Sequence, residues 1–145
     1  MIAKEITYQE LEKAVKLSFE GDKHIVKLYD PNIPVETIDH VTSDILRKVR
    51  GYDKLIYVGV YDKNKLVGYF VRGGGMLVSF ALCVQYRIRK FKREFYKLIK
   101  SSFEGTFTCF LWTKNERGIK WLQKCGMEIM ESNHQLTSLV CRSQQ

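Results

Sequence analysis

Long apolar runs are missing from this chain. The longest, Met76 to Val84, is strand-sized and contains a serine, well short of the roughly 20 residues that a membrane-spanning helix needs. The amino terminus, Met1-Ile-Ala-Lys-Glu-Ile6, has no apolar core of the kind that defines a secretory signal, so the expected location is the cytoplasm. Only two prolines occur, Pro31 and Pro34. Both sit with Asp30 and Asn32 in a stretch of turn and loop chemistry from Gly21 to Pro34. The four cysteines, Cys83, Cys109, Cys125 and Cys141, form no C-x-x-C pair, which excludes a zinc ribbon and a thioredoxin-like redox motif. They are expected to behave as small buried hydrophobes in a reducing compartment. No glycine lies between Gly75 and Gly105. Acids are also scarce, 16 against 24 lysines and arginines, for a net charge of +8. That excess attracts anions and says nothing about fold.

What remains is the composition of one soluble globular domain spanning residues 1–145, 45% hydrophobic and 28% charged. Ile2 to Ile6 predicts a short strand. Thr7-Tyr-Gln-Glu10 is a capping box, and Leu11, Ala14, Val15, Ser18 and Phe19 continue it as one helical face. A second helix is predicted from the stripe Val35, Ile38, Val41, Ile45 and Val49, with Gly51 as its stop. Leu55–Tyr61 and Lys65–Arg72 flank Asp62-Lys-Asn64 as a hairpin. Gly73-Gly-Gly75 turns the chain into the buried strand Met76–Val84. Ile88, Phe91, Phe95 and Leu98 recur at helical spacing. Thr106–Trp112 predicts a strand, Asn115–Cys125 a fourth helix, and Met127–Met130 and Gln135–Cys141 the closing strands.

The order β-α-α-β-β-β-α-β-α-β-β implies an α/β (α+β) domain with a mixed central sheet and helices on both faces. Its most specific segment is Asn115-Glu-Arg-Gly-Ile-Lys-Trp-Leu-Gln-Lys-Cys-Gly-Met127. Asparagine is a preferred helix N-cap, and glycine just past the end can take the left-handed conformation that closes a last turn. This spacing resembles the N-x-x-A-x-x-x-Y-x-x-x-G-F motif of the GNAT acetyltransferases, whose element order is also the one predicted here. Asn115 matches the asparagine, Gly118 the small residue, and Gly126-Met127 the final pair. Leu122 stands where many members carry the tyrosine that protonates the departing thiolate, and leucine cannot donate a proton.

The resemblance implies acetyl-CoA as the cofactor of an active member. It would be held after the third predicted strand by a loop similar to Q/R-x-x-G-x-G/A, whose glycines admit backbone amides to the pyrophosphate. The equivalent stretch is Val84-Gln-Tyr-Arg-Ile-Arg-Lys-Phe91, with Gln85 or Arg87 as its first letter and no glycine. The cofactor-binding candidates are therefore Val84, Gln85, Arg87, Arg89, Lys90 and Asn115, acting through side chains. No catalytic residue is assigned. Ser79, the threonines of Thr106–Trp112, His24, His40, Glu36, Asp39 and Asp44 are the groups that could act as a base. Small GNAT-like proteins of tailed bacteriophages look similar in their glycine-free, basic third helix (here Arg89-Lys-Phe-Lys-Arg93) and in an N-x-x-x-I-x-x-L-x-x-x-G pattern (Asn115, Ile119, Leu122, Gly126).

Arg87, Arg89, Lys90, Lys92 and Arg93 crowd the start of a helix, where cations oppose the macrodipole. The expected partner is an anion: CoA phosphates, an acidic protein surface or nucleic acid. Three readings follow. The first is a GNAT-fold binding or structural component with a degenerate acyl-CoA site, in a virion or the host cytoplasm if phage-encoded, with self-association or virion assembly open to it. The second is an active N-acetyltransferase. The third is a nucleic-acid-binding module using the basic third helix, with Tyr86 and Tyr96 available for stacking.

Overall fold

A computed structural model describes residues 1–22, 24 and 38–142. Among them lie seven strands and four helices: β1 (Ile2–Glu5), α1 (Tyr8–Phe19), α2 (Ile38–Arg50), β2 (Ile56–Asp62), β3 (Lys65–Arg72), β4 (Met76–Leu82), α3 (Arg89–Ser101), β5 (Phe107–Trp112), α4 (Glu116–Lys124), β6 (Glu128–Ser132) and β7 (Leu136–Cys141). The predicted order holds among the described residues. Val35, Glu36 and the Asp30–Pro34 turn lie outside the described residues.

Local chemistry sets most element ends. Thr7 Oγ1 accepts from the Glu10 amide at 3.2 Å, and the Thr7 amide donates to Glu10 Oε1 at 3.0 Å, so the capping box at the start of α1 is reciprocal. Between β2 and β3, Lys63 and Asn64 both take positive φ (49° and 70°), as a two-residue type I′ hairpin loop requires. At the end of α4, Gly126 has φ +108°. Its amide donates to Gln123 O and that of Met127 to Leu122 O, both at 3.0 Å. This pair of bonds is the Schellman closure that the left-handed glycine makes possible.

The strands form one sheet in the order β1-β2-β3-β4-β5-β7-β6. Every neighbouring pair is antiparallel except β4 and β5. That parallel pair is brief, covering Met76↔Thr108 and Leu77↔Cys109. Beyond it β5 follows β7 while β4 stays with β3, so the sheet opens as a V. One face packs Leu11, Val15, Val41, Ile45 and Val49 of α1 and α2 against Tyr69, Val71 and Val78. The other packs Phe95 and Ile99 of α3 and Ile119 and Leu122 of α4 against Val60, Phe70, Phe107 and Leu139. Cover on both sides explains why β3 is buried from Val67 to Val71 without alternation. No described helix is long and apolar enough to cross a membrane.

Three local expectations are corrected. The strand predicted to reach Val84 stops at Leu82, because Val84–Tyr86 form a single 3-10 turn. Ile88 is not in the core: it is the N-cap of α3 and 54% exposed. The buried face of α3 is instead Phe95, Tyr96 and Ile99. Tyr96 is thus unavailable for stacking on a ligand, and Tyr86 donates its hydroxyl to Asp62 Oδ2 at 3.2 Å while its ring packs on Phe91.

All four cysteines are free, and Cys83, Cys109 and Cys141 are buried. Burial pushes the Cys109 thiol from 9.0 up to about 12, with a small opposing pull from Lys48. The folded protein therefore keeps a proton that the unfolded chain releases at ordinary thiol pH. The stabilisation is present below the unfolded value and is lost as pH rises through this window. Urea unfolding between pH 9 and 12 is expected to show stability falling more steeply for the natural chain than for Cys109→Val. Equal slopes would contradict a buried, protonated Cys109.

Candidate functional site

The V between β4 and β5 opens onto a cavity of about 310 Å³, within the size range of small-molecule sites. Phe80, Ala81 and Leu82 line it from β4, Lys92 and Phe95 from α3, Asn115, Arg117, Gly118 and Trp121 from α4 and its cap, and Phe19, Asp22 and His24 from the end of α1 onward. Its apolar wall is an aromatic cluster. The Phe80 ring is 5.6 Å from Trp121 and 6.5 Å from Phe95, and Trp121 stacks on Phe95 at 6.0 Å with planes 11° apart.

Asn115 caps α4, with Oδ1 accepting from the Gly118 amide at 3.1 Å. Gly118 is small for a steric reason: a Cβ there would lie 2.9 Å from Asn115 Nδ2 and 3.1 Å from Oδ1. Leu122 is wholly buried in the core, so the position of the family's tyrosine presents no group to the cavity.

Arg87 has a different task from the one its motif position implies. Its Nε donates to Leu82 O at 2.8 Å, Nη2 donates to Ser18 O at 2.9 Å, and Nη1 pairs with Asp22. The guanidinium lies 5.9 Å from the Phe19 ring. Arg87 thereby ties the exit of β4 to the C-terminal end of α1, where a cation also complements the helix dipole. It borders the cavity with each of its three nitrogens already holding one partner.

The other sequence candidates scatter. Val84 and Gln85 are exposed on the 3-10 turn, and Gln85 borders a separate depression with Glu10, Lys13 and Glu20 of the α1 side. Lys90 is exposed with Nζ 5.5 Å from the Phe91 ring, and Arg89 borders a groove between α3 and α4. Of the six candidates, Arg87 and Asn115 line the cavity. Lys92, Arg117, Phe80 and Trp121 are additions that sequence reasoning did not single out for the cavity. A signal for Lys92 existed: with Arg87 as first letter, R-x-x-G-x-G puts its glycines at Lys90 and Lys92. Phe80 and Trp121 carry no such signal, because they converge from separate elements.

Among the base candidates, His24 alone borders the cavity within the described residues. Ser79 shares a hydrogen bond with the Tyr69 hydroxyl at 2.8 Å. His40 and Arg47 approach Asp44 at 3.3 and 3.2 Å, and Asp39 lies 3.7 Å from Lys16. Glu36 is outside the described residues. No group of three metal-ligating side chains occurs among the described residues. On the other face of the sheet, a second depression is bordered by Asp44, Tyr52, Met76, Phe110, Trp112 and again Asn115.

No protein-family model matches the sequence, and no curated protein does. Solved structures do match over the whole chain. An acetyltransferase from Thermus thermophilus is 13% identical with a TM-score of 0.68, covering 98% of this chain and 97% of its own. The PaiA N-acetyltransferase of Thermoplasma acidophilum, in complex with coenzyme A, is 12% identical at 0.62, covering 98% and 99%. The Campylobacter jejuni N-acetyltransferase PseH, in complex with acetyl coenzyme A, is 14% identical at 0.55, covering 99% and 100%. The fold is that of the GNAT N-acetyltransferases.

If Arg87 is a tie between β4 and α1, its loss destabilises the ligand-free protein. Hydrogen bonds from a charged donor contribute about 1.5–3 kcal/mol each, and truncation leaves the largely buried Asp22 without its guanidinium. Arg87→Ala is expected to lower unfolding free energy by about 2–4 kcal/mol in urea melts without any ligand. An unchanged midpoint would return Arg87 to the role of a dedicated ligand contact.

Proposed function

We propose that this chain is an acyl-CoA-binding protein of the GNAT fold whose site binds without efficient acetyl transfer. The retained cavity in the V carries the reading. It joins an apolar wall (Phe80, Phe95, Trp121) to two cations, Lys92 and Arg117. The amides that open the 13-residue α3 have no side-chain cap. This donor set fits a ligand with an uncharged thioester arm and a phosphorylated end. Lys92 and Arg117 would hold phosphate, and Phe80 and Trp121 would shield the arm from water. The cofactor would supply the activated acyl group.

The support for weak turnover is the fate of the proton-handling groups. The place of the tyrosine holds Leu122, sealed in the core, Ser79 is bonded to Tyr69, Arg87 and Asp22 neutralise one another, and of the base candidates His24 alone borders the cavity among the described residues. The setting we propose is the cytoplasm, the host's in a phage-encoded case, or an assembled particle in which binding without turnover is sufficient. One observation favours an active N-acetyltransferase instead: Asn115 borders both the cavity and the depression across the sheet. A thioester and an acceptor amine could meet there.

Calorimetry with acetyl-CoA, paired with a thiol-release assay over a panel of amines, tests both readings. Expected are saturable binding, a loss of at least about tenfold in Lys92→Glu/Arg117→Glu from two charge-assisted contacts, and thiol release at the uncatalysed rate. An absence of binding by the natural chain sinks the proposal. Amine-dependent thiol release would establish the transferase.

A further inference from the structure

The charge of this protein is concentrated on two neighbouring helices. α3 carries six basic residues and one acid, and α4 three basic residues and one acid, so together they supply most of the net +8. The α3 acid, Glu94, pairs with the chain's amino terminus at 3.3 Å. Between the helices runs an open groove of about 960 Å³ whose charged lining is entirely cationic: Arg89, Lys92, Arg93 and Lys97 from α3 and Lys124 from α4. None of these five pairs with a carboxylate among the described residues.

Arg89, Arg93 and Lys97 follow one another at four-residue steps, a row whose successive Cβ positions are about 6 Å apart along the helix. The floor holds the buried Tyr96 and the half-buried Trp121, so the stems of the cations lie along apolar surface with their heads in water. No exposed large hydrophobic side chain lies on either helix among the described residues.

We propose that this α3–α4 groove binds the phosphodiester backbone of nucleic acid, independently of base sequence. The composition of the face decides between a nucleic acid and an acidic protein. Protein–protein interfaces have cores depleted in charge and enriched in aromatics and methionine, whereas nucleic-acid interfaces are polar and strongly positive. This face is cationic: its two aromatics, Tyr96 and Trp121, lie in the floor between the cations, and the one exposed large apolar side chain nearby among the described residues is Ile88 at the N-cap of α3. Its lining includes no asparagine or glutamine to pair with an adenine edge, and its arginines and lysines, ranked along one open channel, meet phosphates first, where contacts position a backbone without specifying sequence. The inference does not rest on acyl-CoA binding, since Arg93, Lys97 and Lys124 lie outside the cavity lining.

Fluorescence anisotropy with a labelled oligothymidine and a labelled duplex, titrated from about 50 to 200 mM salt, tests the proposal. Five phosphate contacts imply log–log salt slopes of about −3.5 for the single strand and −4.5 for the duplex, and the polymer bound more tightly identifies the preferred form. Arg93→Glu/Lys97→Glu/Lys124→Glu should abolish binding while leaving the circular dichroism spectrum and acetyl-CoA calorimetry unchanged. The corresponding glutamine triple variant should reduce the slope by two to three units, roughly 0.7 to 0.9 per contact, and serves if the glutamates perturb the fold. No binding of either polymer at the lowest salt overturns the inference, as does a slope indifferent to both triple variants. Competition by polyglutamate at equal charge concentration, as effective as by nucleic acid, overturns it in favour of an acidic protein partner.

Discussion

The early end of the β4–β5 ladder governs this molecule. Two residue pairs, Met76–Thr108 and Leu77–Cys109, join the meander β1–β4 to the group β5-β7-β6. After them the strands part, and a buried backbone that leaves a ladder must find other partners. Leu82 O finds the guanidinium of Arg87, while on its other side the chain stays with β3, the Cys83 amide donating to Val67 O at 2.8 Å. The space between the arms is bounded by Phe80, Phe95 and Trp121, a wall that aromatic pairing holds in place beyond its area burial. The cavity is therefore a consequence of topology, and Asn115 at the head of α4 stands on the rim of both faces because α4 begins where β5 has swung away.

Features that depend on neighbours along the chain are legible from the residues alone. The Thr7–Glu10 capping box, the Lys63-Asn64 turn and the Asn115 and Gly126 ends of α4 are each decided within about six residues by orphan amides, carbonyls or sterics. The fold class follows, because the same elements in that order have few ways to bury their faces. The site is less legible, and Arg87 shows why. Whether its guanidinium meets a ligand or a carbonyl depends on where α1 ends, and nothing near Arg87 encodes the position of Ser18 O or Asp22. Tyr96 makes the same point for α3. The spacing of Phe91, Phe95 and Leu98 and that of Phe95, Tyr96 and Ile99 are both helical stripes, and packing against Phe107 and Trp121 selects the second.

α3 and α4 pose a contrast in electrostatics within one layer. α4 follows the macrodipole, with Asn115 as cap, Glu116 in its first turn and Lys124 in its last. α3 opposes it: no side chain caps it, no acid lies in its first turn, and Arg89, Lys90, Lys92 and Arg93 crowd its start. Each exposed cation there is unfavourable by about 0.3–1 kcal/mol, before mutual repulsion. The opposition has no offset among the described carboxylates, since Asp22 answers Arg87 and Glu94 answers the amino terminus. An anion from outside the chain is the offset that the geometry leaves open.

The two anionic ligands proposed above would have separate seats. The cavity couples Lys92 and Arg117 to an apolar wall and suits a compact ligand with one charged end, while the groove sets five cations along an open channel and suits a polymer. Lys92 borders both. If each seat is filled, the charge of Lys92 is divided between them, and linkage makes the opposition mutual: whatever a cofactor phosphate takes from the polymer, the polymer takes from the cofactor. A single shared cation limits the polymer's loss to about one phosphate contact, which lowers its salt slope by about one unit. The two proposed functions would then be antagonistic through one residue, Lys92, and otherwise independent.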